Sequence, residues 1–94
     1  MITAIVLVET STDMVPEAAE RIAEIDGVRE VYSVTGDVDL VAVVRVPQHE
    51  DLAEVIADRL GKVDGVVKTR TYLAFRQYSK PDLEAAFDLG LDDA

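Results

Sequence analysis

Ala19-Glu20-Arg21-Ile22-Ala23-Glu24-Ile25-Asp26-Gly27-Val28 is answered at one fixed offset by Ala57-Asp58-Arg59-Leu60-Gly61-Lys62-Val63-Asp64-Gly65-Val66. Alanine, arginine, two aliphatics and an Asp-Gly-Val ending recur at matching places, so the chain reads as two copies of one unit. Each copy is an amphipathic helical stretch closed by a glycine suited to the left-handed position after a helix. Each also lies between two runs rich in β-branched residues. Two such units in succession give the order β-α-β-β-α-β.

The flanking runs differ in a way that fixes their places. Ile2 to Glu9 is apolar on both faces, with Ile2, Ala4, Val6 and Val8 on one and Ile5 and Leu7 on the other. Leu40 to Val46 repeats this, setting Leu40, Ala42, Val44 and Val46 against Val41 and Val43. Strands apolar on both sides belong in the middle of a sheet. Val28 to Val34 and Val66 to Tyr78 carry mixed polarity and suit the edges. Val15, Ala18, Ala19, Ile22 and Ile25 form the inner stripe of the first helix, with Ser11-Thr12-Asp13 offering cap oxygens before it. The second helix spans about Glu50 to Gly61 after Pro47, with Leu52, Val55, Ile56 and Leu60 inward. Lys80-Pro81 restarts the chain, and Asp82 to Leu89 suits a short terminal helix before an acidic tail.

The expected fold is therefore α+β: a ferredoxin-like βαββαβ αβ-sandwich, a four-stranded antiparallel sheet with two helices on one face, plus a short C-terminal helix. Residues 1–78 form the domain and 79–94 the helix and tail. Two helices cover one face of the sheet only. The other apolar face needs a cover that this chain does not contain, and a second copy is the economical one.

Composition narrows the function. A net charge of −10 and a pI near 4.3 argue against direct nucleic-acid binding, which runs on clustered Lys and Arg. With no cysteine there is no disulfide, thiolate metal site or Cys nucleophile. The N-terminal apolar run is too short to span a bilayer and meets Glu9 at once, so a soluble cytoplasmic protein is expected. No cofactor is indicated.

The turn Val34-Thr35-Gly36-Asp37-Val38-Asp39 sits between the two halves. Gly36 permits a positive φ, and Thr35, Asp37 and Asp39 offer short oxygens to backbone N–H groups or to a ligand. A plain hairpin turn explains the same residues. A metal on Asp37 and Asp39 is disfavoured, because no third ligand lies at a recognisable spacing. Tyr32 and Tyr72 read as edge cover ahead of stacking on a ligand, and Thr69 and Thr71 as ordinary strand residues. His49, the single histidine, has no nucleophile or acid beside it and reads as a solvated first-turn residue.

Val28-Arg29-Glu30-Val31-Tyr32-Ser33-Val34-Thr35-Gly36-Asp37-Val38-Asp39-Leu40 resembles the strand, Thr-Gly-Asp turn and Asp-led strand of the ligand-sensing (RAM) domain of Lrp/AsnC transcription regulators. Val66 to Tyr78 is similar to that family's last strand. The resemblance implies a domain that dimerises through its sheet and assembles into dimers of dimers or rings, with an amino acid or similar metabolite in clefts between dimers. It places Tyr32, Thr35, Gly36, Asp37 and Asp39 on the effector-cleft motif, and Thr69, Thr71 and Gln77 on last-strand positions able to face the same cleft. Full-length Lrp-type regulators are the implied partners. Two departures stand out: the helix-turn-helix of full-length members is missing, so the chain looks like a stand-alone module, and Val38 replaces a common aromatic.

Two other readings are a structural oligomerisation module without its own ligand and a small dimeric ferredoxin-like enzyme. Enzyme sites of the latter kind generally use His, Asn or Trp in an apolar cavity, and this chain has one His, no Asn and no Trp. No catalytic residue is expected.

Overall fold

In a computed structural model of the chain, residues 1–80 are described. They form β1 (Ile2–Thr10), α1 (Val15–Ala23), β2 (Val28–Ser33), β3 (Leu40–Val46), a second helix and β4 (Val66–Leu73). The sheet order is β2-β3-β1-β4, every pair antiparallel. The two strands that are apolar on both faces are the two central ones. The C-terminal helix expected over Asp82 to Leu89 lies outside the described residues.

Register assigns the two faces. Ala4, Val6 and Val8 stand beside Val44, Ala42 and Leu40, and all six are buried. Ala18 and Ile22 of α1, with Val55 and Leu60 of the second helix, pack into the same cluster, so both helices cover this one face. Fully burying a Val, Leu or Ile side chain contributes about 1.5–3 kcal/mol, and this layer supplies most of the core. The opposite face presents Ile5, Leu7, Val41 and Val43, of which Ile5 is 39% exposed.

Three local expectations are corrected. First, no side chain of Ser11, Thr12 or Asp13 caps α1. Met14 takes the cap position without a side-chain cap, and its own N–H donates to the Ser11 carbonyl at 3.0 Å in the turn that leads into the helix. Second, the second helix starts as α2 (Glu50–Leu52), widens to a π-helix over Ala53–Arg59 and tightens to a 3-10 turn over Leu60–Lys62. The Leu60 N–H reaches both the Ile56 and the Val55 carbonyls. Val55 and Leu60 lie five residues apart and are both buried, a spacing that the wider turn brings onto one side. Third, β4 stops at Leu73 rather than at Tyr78. Leu73 pairs with Ala4, the last bond is Ala74 N–H to the Thr3 carbonyl at 2.9 Å, and only Ile2 and Thr3 of β1 lie beyond, too few to carry the ladder to Tyr78.

The sequence repeat reappears as two equivalent turns. Gly27 and Gly65 have φ of +98° and +95°, but they do not close the helices as expected: α1 ends at Glu24 and the second helix at Val63, and each glycine lies in the following turn into the next strand. A Cβ at Gly65 would stand 2.7 Å from the Met14 Cβ, whereas one at Gly36, also at positive φ, would meet nothing within 4 Å. Gly36→Ala should therefore cost about 1–2 kcal/mol from backbone strain alone, and Gly65→Ala clearly more because Met14 must also move. Paired denaturant titrations of the two variants check this order.

Candidate functional site

The turn between β2 and β3 is held by main chain at its base and left open at its tip. Val34 N–H donates to the Asp39 carbonyl at 3.0 Å, closing the loop. Asp39 N–H donates to the Val8 carbonyl at 2.9 Å, and Asp39 Oδ2 accepts from Thr10 N–H at 2.8 Å. Asp39 thus fastens the turn to the end of β1. Val38 is buried beside it, which anchors the turn from below.

Thr35, Gly36 and Asp37 are exposed. Asp37 Oδ2 makes one long ion pair, 3.5 Å to Arg70 Nη2 of β4, with both side chains substantially in solvent. Such a pair is worth at most about 1 kcal/mol. The tip therefore presents a carboxylate and a hydroxyl at the surface, groups able to meet an ammonium and a carboxylate.

The other sequence-named residues are distributed around the sheet. Tyr32 stands beside Val41 on the face away from the helices, 50% exposed, and its hydroxyl donates to Glu30 Oε2. That hydrogen bond, the negative charge of Glu30 and partial desolvation all raise the phenol pKa above its usual 10. The effect on stability follows: the bond contributes below the ordinary phenol pKa and is lost as pH rises through the raised one. Thr69 and Thr71 stand beside Val8 and Val6, hence on the helix face, Thr69 half-buried and Thr71 exposed. Gln77 does not share their face, since strand alternation ends at Leu73. It instead lines a cleft of about 400 Å³ with Thr3, Glu30, Val43 and Arg45.

Within one protomer these residues do not converge. The Gly36 turn is bonded to the Val8–Thr10 end of β1, whereas the chain leading to Gln77 is bonded at Thr3. Those ends are roughly 17 Å apart at 3.4 Å per residue. Sequence reasoning offered Asp39 to a backbone N–H without naming Thr10 as its donor, and it missed the Arg70 contact to Asp37. Asp39 gave a partial signal as an acid placed just before a central strand, but Arg70 gave none, because the contact depends on sheet order. Among the described residues no group of three His, Asp or Glu side chains is placed to hold a metal. His49 is exposed and caps nothing with its side chain.

The described residues thus form an αβ-sandwich with both helices on one sheet face and a polar turn at its rim. The chain belongs to the Lrp/AsnC ligand binding domain family, which matches residues 3–83. It is 41% identical over 61 residues to the HTH-type transcriptional regulator LrpA of Pyrococcus abyssi, an alignment covering 65% of this chain and 43% of that protein. The chain thus spans less than half the length of that curated relative. The solved structure of TTHA0845 from Thermus thermophilus superposes with a TM-score of 0.80 at 46% identity, covering 85% of this chain and all of that one. The regulator NMB0573 of Neisseria meningitidis, solved as its L-Met complex, shares the fold at a TM-score of 0.75 and 15% identity, over 83% of this chain and 52% of that one. No helix among the described residues is long and apolar enough to cross a membrane.

Two measurements test the local geometry. Asp39→Asn should lower stability by about 1–3 kcal/mol, because the Thr10 N–H loses a charged acceptor at a part-buried position; urea unfolding reads it. Glu30→Gln should bring the Tyr32 ionisation down towards that of a free phenol, seen as an earlier phenolate transition in an absorbance titration against pH.

Proposed function

We propose that this chain is an effector-binding module of the Lrp/AsnC kind. It pairs with a second copy through its open sheet face, builds dimers of dimers or a ring, and takes an amino acid or similar metabolite at a cleft between subunits. Family membership and the L-methionine complex of the distant regulator NMB0573 support this reading. The observation that carries it is the exposed Thr35-Gly36-Asp37 tip, fixed at its base by Asp39 yet weakly engaged itself.

In this reading the ligand ammonium displaces Arg70 from Asp37, and its carboxylate takes the Thr35 hydroxyl and the N–H groups around Gly36. Asp39 holds the turn in place. Tyr32, Thr69, Thr71 and Gln77 join the cleft from neighbouring copies, since a single copy keeps them apart. Ligand occupancy then alters assembly, and the assembly acts on transcription in the cytoplasm through full-length Lrp-type partners that supply the DNA contact. Catalysis has no place in it.

A second reading, an oligomerisation module with no ligand of its own, is favoured by the open apolar face considered alone. A thermal-shift screen against each amino acid separates the two. A ligand present at a hundredfold its Kd stabilises by about 2.7 kcal/mol. One or a few amino acids should raise the midpoint, and Asp37→Ala should remove that rise while leaving the oligomer intact. A uniform absence of shifts alongside a stable oligomer in light scattering would favour the second reading.

A further inference from the structure

Across the open face the register sets Tyr32, Val41, Leu7 and Arg70 in one row, Glu30, Val43, Ile5 and Tyr72 in the next, and Arg45 beside Thr3 in the last. Beyond that pair the chain leaves the sheet. Phe75 and Arg76 then line a cleft of about 400 Å³ together with Thr3, Ile5, Val43 and Arg45. The cleft stands at the opposite end of the face from the Gly36 turn.

Its lining is of two kinds. Ile5, Val43 and Phe75 are apolar, and Phe75 is 99% exposed, a whole aromatic ring left to solvent. Arg45 and Arg76 are cations that make no ion pair among the described residues. Arg45 Nε is moreover buried with no hydrogen-bond partner. A charged donor buried without an acceptor is costly and asks for one. Glu30, the acid that also lines the cleft, does not supply it: its carboxylate accepts from the Tyr32 hydroxyl and pairs with neither arginine. Two other clefts of similar size match their cations one for one with acids. This one holds two guanidiniums against a single, engaged carboxylate, in a chain whose net charge is −10.

We propose that this cleft binds a small aryl carboxylate, its planar apolar body against Phe75, Ile5 and Val43 and its carboxylate on Arg45 and Arg76. The guanidinium fork matches a carboxylate in a bidentate pair, and Arg45 Nε–H is a donor already aligned for one. An aromatic ring stacks favourably on Phe75. Glu30 stands close enough to disfavour a second negative charge, which selects a carboxylate over a phosphate dianion. The site is separate from the Gly36 turn and does not rest on the effector reading. A second copy over the open face would add a wall to the cleft, whose charges come from this chain alone.

Titration with benzoate at low ionic strength, followed through the arginine Nε–H signals in ¹⁵N NMR, tests the site, with acetate and inorganic phosphate as comparison anions. Benzoate should move the Arg45 and Arg76 signals selectively and bind about tenfold tighter than acetate, because the ring adds apolar contact. Arg45→Gln and the exposed Arg76→Gln should each weaken benzoate about tenfold, Glu30→Gln should tighten it, and Phe75→Ala should erase its advantage over acetate. Arg21→Gln makes the same change of charge on α1 and should leave the affinity unchanged. A shift shared by all arginines, an equal loss in Arg21→Gln, or phosphate binding as tightly as benzoate would overturn the proposal. An amino acid that raises the thermal midpoint should not displace benzoate; displacement would merge the two sites and overturn this one, whereas the absence of any amino-acid response would leave it standing.

Discussion

The antiparallel pairing of β1 with β3 is the constraint from which the rest follows. Its register runs from Ile2 beside Val46 to Val8 beside Leu40. Because side chains alternate across a strand, that register places Ala4, Val6, Val8, Leu40, Ala42 and Val44 together on one face and Ile5, Leu7, Val41 and Val43 on the other. A slip by one residue would exchange the two sets. The first set matches the helices in size: alanines and valines leave room for Ile22, Val55 and Leu60 to sit close. The second has no cover within the described residues, and an apolar surface of this kind asks for one.

The duplicated Asp-Gly turns convert that pairing into a closed unit. Each glycine at positive φ turns the chain from a helix into the next strand. Their surroundings are not equivalent, however. Gly27 sits against Val46 and Val55, and Gly65 against Met14. Sequence symmetry is thus preserved in backbone conformation and broken in packing, as expected where one half places its strand in the β2 edge and the other in the β4 edge. Arg45 N–H donating to the Gly27 carbonyl, and Ser11 N–H to the Gly65 carbonyl, tie each turn to a central strand at 2.8 Å.

The same economy governs the Thr35-Gly36-Asp37 turn. Asp39 uses its N–H, its carbonyl and one carboxylate oxygen to fix the base, which leaves the tip polar and solvent-facing without loosening it. The long contact between Asp37 and Arg70 links this tip to the open face, because Arg70 ends the row that begins at Tyr32. Turn and face are therefore neighbours in space although their residues are far apart in the chain.

Much of this was legible in the sequence. Two-sided apolar runs identified β1 and β3 as central, periodicity located both helices, and the repeat gave the βαββαβ order, because these follow from local alternation and burial. Thr35, Gly36, Asp37 and Asp39 were likewise visible as one turn. What needed the tertiary structure was everything set by where a partner strand ends or what lies across the sheet. β4 stops at Leu73 because only Ile2 and Thr3 of β1 lie beyond its partner Ala4, too few to carry the ladder to Tyr78, and Gln77 consequently leaves the face of Thr69 and Thr71. The second helix widens because Val55 and Leu60, five residues apart, must both reach the core. Asp39 serves as an anchor because Thr10, distant in sequence, presents its N–H there. Local chemistry determined which elements form, and non-local registry decided which side chains meet.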